Sequence, residues 1–271
     1  MSRIQETFNQ LKKRKEGALI TFTTLGDPSL RRSVQLARRL AESGADILEL
    51  GLPFSDPVAD GPTIQASYQR ALKAGMNTHR ALEAVRKLRD KVKTPLVLLS
   101  YYNPVLRRGV AGFFRDFAEA GLDGVVVPDL PVEEAEPVSK AGKDAGVNLI
   151  FLVAPTTTER RLEKIVKAAE GFLYLVSLLG VTGARESLSA LTKKTISRIA
   201  KHVEARIPVA VGFGISKPPH VREVIAAGAD GAIVGSALID LYTSSASNPA
   251  QALEKVSAYV HTLKAATAKK A

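Results

Sequence analysis

The sequence predicts a single-domain (β/α)₈ barrel, an α/β fold of the TIM-barrel class, across residues 1–271, and three observations carry that prediction. Eight short apolar runs recur along the chain, each followed by a stretch of helical periodicity. The runs are apolar at nearly every position, as in a parallel sheet buried on both faces. Their starts lie about 22 to 30 residues apart except after the second and sixth runs, where extended loops are expected. A doubly wound sheet is the alternative arrangement of such units, but its glycine fingerprint is missing after the first strand.

Each element has its own signal. An extra N-terminal helix over 3–16 puts Ile4, Phe8 and Leu11 on one face. The first strand is ALITFTTLG (17–25), rich in β-branched and aromatic side chains. Asp27-Pro28-Ser29 caps a helix that runs to about Ser43 and closes at Gly44. The second strand lies in DILELG (46–51) and enters a loop punctuated by Pro and Gly. Helical pattern resumes over 63–73, breaks at Gly75 and restarts over 78–92.

Strands at 95–99, 124–127, 148–153, 172–176, 208–212 and 231–235 complete the eight. Helices begin near Val110, Val132 and Thr158; a glycine-rich loop and a helix to about Glu204 follow the sixth strand. Pro218 opens the next helix, and SALIDLY follows the eighth strand. A last helix covers 249–264, and residues 265–271 are expected to form a frayed tail.

Composition removes several functional classes. The chain has no cysteine, which excludes disulfides, thiolate metal sites and cysteine nucleophiles. His79, His202, His220 and His261 stand apart, at no metal-ligand spacing, so no metal site is expected. The formal net charge is +11, with basic residues gathered at Lys12 to Lys15, Arg31, Arg32, Arg38 and Arg39. No basic stripe with interleaved aromatics accompanies it, so the reading is solvated helix faces and not nucleic-acid binding. The first 15 residues lack a signal-peptide pattern, and no apolar run approaches the roughly 18 residues of a membrane span. A cytoplasmic location is expected.

The chemistry concentrates after the second strand, in DILELGLPFSDPVADGP (46–62). Glu49 stands where the strand pattern asks for an aliphatic side chain. A buried carboxyl group of that kind is either paired structurally or tuned for general acid/base work. Asp60, before Gly61-Pro62, is either a turn former or a second acidic group of the site. Tyr174 on the sixth strand and Asp129 at the end of the fourth are open in the same way. Late in the chain, GVTG (180–183), GFGI (212–215) and Gly235-Ser236 are glycine-rich strand ends. Glycine lets backbone amides approach an anion, and barrels commonly bind phosphate after strands seven and eight.

The segments FTTLGDP (22–28) and ELGLPFSDPVADGP (49–62) closely resemble the tryptophan synthase alpha subunit family. Tyr102-Asn103-Pro104, Pro128-Asp129-Leu130-Pro131, the stretch from Tyr174 to Gly183, Gly212 to Ile215 and Gly235-Ser236 extend the match over the whole chain. The resemblance implies a lyase of L-tryptophan biosynthesis that splits indole-3-glycerol phosphate by a retro-aldol reaction into indole and D-glyceraldehyde 3-phosphate. It assigns the general acid/base to Glu49 and the partner of the indole N–H to Asp60. It places Tyr174 beside Glu49 or substrate, and Phe22, Leu99 and Val127 around the indole. Thr182 would meet Asp60 on loop closure, Gly183, Gly214, Gly235 and Ser236 would hold the phosphate, and Phe213 would be a further substrate-binding residue.

It also implies a beta-subunit partner in an alpha2-beta2 heterotetramer. That partner would meet Pro53 to Asp56 and Asn103-Pro104, and pyridoxal phosphate would belong to it and not to this chain. A free-standing lyase without beta subunit is the alternative. One departure from the family pattern is Leu178-Leu179 before Gly180, where some members carry Arg and a small polar residue.

Overall fold

The computed structural model describes residues 1–176, 190–203, 206–212, 214–245 and 247–269. Helix α1 (Arg3–Lys13) starts on Ser2, whose hydroxyl accepts the Gln5 amide at 3.3 Å. Strand β1 (Ala18–Thr24) and helix α2 (Leu30–Glu42) follow, α2 being capped by Ser29 as its sequence requires. Strand β2 (Ile47–Gly51) leads through a ten-residue stretch, 52–61, to α3 (Pro62–Lys73) and α4 (Thr78–Arg89). Strand β3 (Leu96–Leu99) precedes α5 (Tyr102–Arg108) and α6 (Val110–Glu119).

Strand β4 (Gly124–Val126) is followed by one 3₁₀ turn (Val132–Glu134) and α7 (Glu136–Ala145). Then come β5 (Asn148–Ile150), β6 (Leu152–Val153), α8 (Glu159–Ala168) and β7 (Leu173–Val176). Helix α9 (Ala190–Val203), β8 (Val209–Gly212), α10 (Pro218–Ala226) and β9 (Gly231–Val234) continue the alternation. Helices α11 (Ser236–Thr243) and α12 (Pro249–Ala265) end it.

All the pairings are parallel, in the order β5-β4-β3-β2-β1-β9-β8-β7-β6. The two ends of that order are one continuous strand interrupted at Phe151. Asn148–Ile150 pairs with β4, Leu152 and Val153 pair with β7, and the Tyr174 amide donates to the Phe151 carbonyl at 3.0 Å. The nine segments therefore close an eight-stranded barrel among the described residues, as the eight apolar runs require.

Two cores follow from the period of two along each strand. Leu19, Leu48, Leu50, Leu96 and Leu98 point outward to the helices. Ile20, Phe22, Ile47, Val97, Leu99, Val126, Ile150, Tyr174, Ala210 and Ile233 fill the barrel interior. Helix α1 stoppers the N-terminal mouth: Phe8 packs on Phe172 with ring centroids 5.9 Å apart, and Arg3 reaches Asp123 at 2.8 Å. With that end closed, the opposite mouth is where side chains and loops can meet a ligand.

Two expectations needed correction. Residues 102–108, between the third strand and Val110, form α5. Pro104 sits in its first turn, where no intrahelical N–H bond is lost, and the Asp129 carboxylate accepts the Tyr102 amide at 2.9 Å. The C-terminal tail is not frayed as far as Lys269. Thr267 is fully buried and its carbonyl accepts the Gly17 amide at 2.8 Å, while the Lys269 amide donates to Lys15 O at 2.8 Å. Its alanine-rich composition hid the pairing, which depends on a partner more than 200 residues away in sequence.

Candidate active site

Glu49 is the middle residue of β2, and the alternation Ile47 in, Leu48 out, Leu50 out sends its side chain into the barrel. It lies in register with Phe22 on β1 and Val97 on β3, both interior residues. Only 2% of Glu49 is exposed, and neither carboxylate oxygen has a hydrogen-bond partner. Burial, with the charge of Asp60 as a second cause, pushes its carboxyl group up to about 8. Such a group holds its proton at neutral pH and can give it away.

Asp60 reaches the same mouth from the loop after β2. The Tyr101 hydroxyl donates to its Oδ2 at 2.6 Å, and the Ala59 amide donates to the Tyr101 oxygen at 3.0 Å. Phe54, earlier in the loop, stacks on the Tyr101 ring at 5.2 Å and 26°. The loop is thus folded around one tyrosine that stands two residues beyond β3. Burial raises the Asp60 carboxyl above its ordinary range, and the Tyr101 bond opposes that rise. Turn formation alone does not account for an acid held in this way.

Aromatic side chains wall the space between the two acids. A Cβ built on Gly51 would lie 2.6 Å from the Phe22 ring and 2.9 Å from Tyr68 Cε1, so both rings press on the backbone above Glu49. Tyr174 lies against Gly212, where an added Cβ would come within 2.6 Å of its ring and hydroxyl. Leu99 belongs to the same interior cluster. Val127 does not. The residue before it, Val126, faces the barrel, while Val127 packs outward beside Leu130, Phe151 and Val153. Counting by strand end chose the wrong parity; the interior side chain on that strand is Val126.

The glycine-rich ends of β8 and β9 sit beside this wall. Gly235, the N-cap of α11, is so close to Phe22 that an added Cβ would lie 3.2 Å from Phe22 Cβ. Ser236 and Ala237 supply the first amides of the helix, which intrahelical bonding leaves unmatched, and the helix dipole favours an anion there. Gly214 follows β8 with φ +77°, a conformation that a side chain disfavours, and it is exposed at the mouth. Phe22 therefore touches the candidate anion cradle at Gly235 on one side and is paired with Glu49 on the other. Thr182, Gly183, Phe213 and the Leu178-Leu179 pair lie outside the described residues.

Two residues of the site went unread in the sequence. Tyr101 continues the inward parity of Leu99, and a hydroxyl at that height of a barrel strand was the available signal. Tyr68 had none, since it lies on α3 and helical spacing marks it only as core. Its ring is fully buried in the interior cluster and its hydroxyl makes no hydrogen bond. Burial and the charges of Asp60 and Glu49, among its neighbours, hold that phenol protonated.

The arrangement joins a proton-holding acid, a second carboxylate held by tyrosine, an apolar slot and a helix N-terminus in one mouth. Known proteins resemble this chain in sequence and fold. The family profile described as "Tryptophan synthase alpha chain" matches residues 8–268. The chain is 52% identical over 239 residues to the tryptophan synthase alpha chain of Methanosarcina barkeri, covering 88% of this chain and 89% of that one. To the alpha chain of Methanoregula boonei it is 43% identical over 266 residues, 98% of each. Among solved structures, tryptophan synthase subunit alpha from Legionella pneumophila superposes with a TM-score of 0.88 at 36% identity over 98% of both chains. A chain of Mycobacterium tuberculosis tryptophan synthase does so with 0.88 at 37% identity over 99% of both. With the ELGLPFSDPVADGP run folded around Tyr101 and Glu49 turned inward, this chain belongs to the tryptophan synthase alpha chain family.

Proposed function

We propose that Glu49 and Asp60 carry the reaction of this family in this chain. The chain is a carbon–carbon lyase of tryptophan biosynthesis: it splits indole-3-glycerol phosphate into indole and D-glyceraldehyde 3-phosphate. Glu49, holding its proton at neutral pH, protonates C3 of the indole ring. Positive charge then develops toward the ring nitrogen, where the Asp60 carboxylate stabilises it and accepts the N–H. Loss of the proton from the adjacent glycerol hydroxyl lets the C–C bond break, its electrons returning to the ring; Glu49, now a carboxylate, is the base placed to take that proton.

Phe22 and Leu99 wall the indole and Tyr174 adjoins Glu49, while Gly214, Gly235 and Ser236 receive the phosphate; Val126 takes the place first given to Val127. Thr182, Gly183 and Phe213 retain the roles that the resemblance gives them. The observation that carries the reading is the inward, partnerless and proton-holding Glu49 in register with Phe22.

No cofactor belongs to this chain; pyridoxal phosphate is held by the beta chain, with which alpha chains of this family work. The face that meets the beta chain is proposed to be the loop at 53–56 and α5, beside which Val58 and Leu106 are exposed. Among the described residues no helix is long and apolar enough to cross a membrane, and a cytoplasmic location is proposed. Indole release from indole-3-glycerol phosphate, measured with and without beta subunit, tests the reading. Strong activation by beta subunit is expected, and full activity without it would favour a free-standing lyase. Asp60→Asn should lower turnover about a hundredfold with substrate affinity largely kept; an affinity loss alone would give Asp60 a binding role.

A further inference from the structure

Glu49 is buried with both oxygens unpartnered, which suits the neutral acid but not the carboxylate it becomes once its proton has moved. Among the described residues, the titratable groups acting on this space are Asp60 from the loop, Tyr68 from α3, Tyr101 after β3 and Tyr174 from β7. No cation is among them. Tyr101 already donates its hydroxyl hydrogen bond to Asp60. Tyr68 has a fully buried hydroxyl with no partner of its own.

Its position is fixed. The Ser67 and Thr24 hydroxyls meet at 2.6 Å, and Arg70 grips Asp27 through two bonds of 2.9 and 2.7 Å, so α3 is fastened to the end of β1 on both sides of Tyr68. The Tyr68 ring overlies Gly51, which shares the inward face of β2 with Glu49 and stands two residues, about 6.6 Å, further along.

We propose that Tyr68 is a positioning residue for the acid/base: its hydroxyl donates a hydrogen bond to the Glu49 carboxylate after the proton has passed to substrate. The inference rests on Glu49 being the proton donor. The bond exists only in the charged form, so it favours the state in which the reaction leaves Glu49 and makes the proton easier to give. In the resting enzyme the hydroxyl contributes nothing to folding, because no acceptor meets it.

The test compares wild type, Glu49→Gln, Tyr68→Phe and Tyr174→Phe, each with its beta subunit, by following indole release across roughly pH 6 to 10. Wild type should lose activity as pH rises past the Glu49 transition, and Glu49→Gln should abolish the activity. Tyr68→Phe removes a donor to the carboxylate. It should move that basic limb up by about one pH unit and lower the plateau kcat about tenfold, with KM within about twofold.

Its thermal midpoint should match or exceed that of wild type, since only an unpaired hydroxyl is lost. A limb that stays in place in Tyr68→Phe overturns the proposal, whether or not Tyr174→Phe moves it. So does a lowered midpoint with unchanged pH profile, which would mark a structural tyrosine. A wild-type profile with no basic limb, or an active Glu49→Gln, would overturn Glu49 as proton donor and the proposal with it, an outcome distinct from a stationary limb in an otherwise normal enzyme.

Discussion

The Tyr101 hydroxyl donates a hydrogen bond to Asp60 at 2.6 Å while its oxygen accepts the Ala59 amide at 3.0 Å. The carboxylate of the loop after β2 is therefore held by a residue just beyond β3, while its backbone amide is held within the loop by Pro57 O at 3.1 Å. That relation makes the loop and the third strand one unit, with Phe54 stacked on the same ring. It also keeps Asp60 more acidic than burial alone would leave it.

Tyr101→Phe should separate the two functions of that side chain. The ring and its stacking survive, while the bond to Asp60 and the acceptor for Ala59 are lost. Stability should fall by about 1–2 kcal/mol in urea unfolding. Turnover should fall more steeply, by about 10- to 50-fold, because Asp60 becomes less acidic and less well placed. Near-normal turnover in this variant would mean that Asp60 is held by something else.

Glu49→Gln should lower turnover by about 10²- to 10⁴-fold while substrate still binds. It should also remove a pH dependence of stability. In the unfolded chain Glu49 ionises near its ordinary 4.5, whereas in the fold it does so near 8. Between those values the folded form binds more protons than the unfolded form, so wild-type stability falls as pH rises through that window and levels off above it. The variant lacks the effect. Above pH 8 it should be the more stable protein, by on the order of 5 kcal/mol, with the gain fading toward pH 4. Parallel stability curves for the two proteins would place Glu49 in a solvated setting.

Arg70→Met should cost about 2–4 kcal/mol, since it strands the nearly buried carboxylate of Asp27, which has two bonds to this guanidinium. Helix α3 also carries Tyr68, so some turnover should be lost with it. Chemical unfolding and a rate assay on the same sample would measure both. Double replacement with Asp27→Asn should recover part of the stability, because the stranded charge is then gone.

Deleting residues 266–271 should destabilise the barrel by about 1–3 kcal/mol. The deletion removes the Thr267 acceptor of the Gly17 amide and the Lys269 bond to Lys15, and it bares the start of β1. It leaves Lys264, whose Nζ lies 2.9 Å from both Asp46 and Glu16. Unchanged unfolding after deletion would return this segment to the status of a loose tail.

The sequence alone determined the number and order of the strands, because continuous apolar runs and amphipathic stretches report burial locally. It also determined that Glu49 is out of place in its strand and that the chemistry follows the second strand, since a carboxyl group in an aliphatic run is visible without coordinates. Only the tertiary structure decided which side chains share the mouth. Val126 replaced Val127 because strand parity is set by the sheet, and one residue of error turns a side chain from the cavity to the helices. Tyr101, Tyr68 and the paired tail depend on contacts between segments distant in sequence, which periodicity does not encode. The proton on Glu49 is of the same kind: residue type gives an ordinary acid, and burial beside Asp60 makes it one that keeps its proton at pH 7.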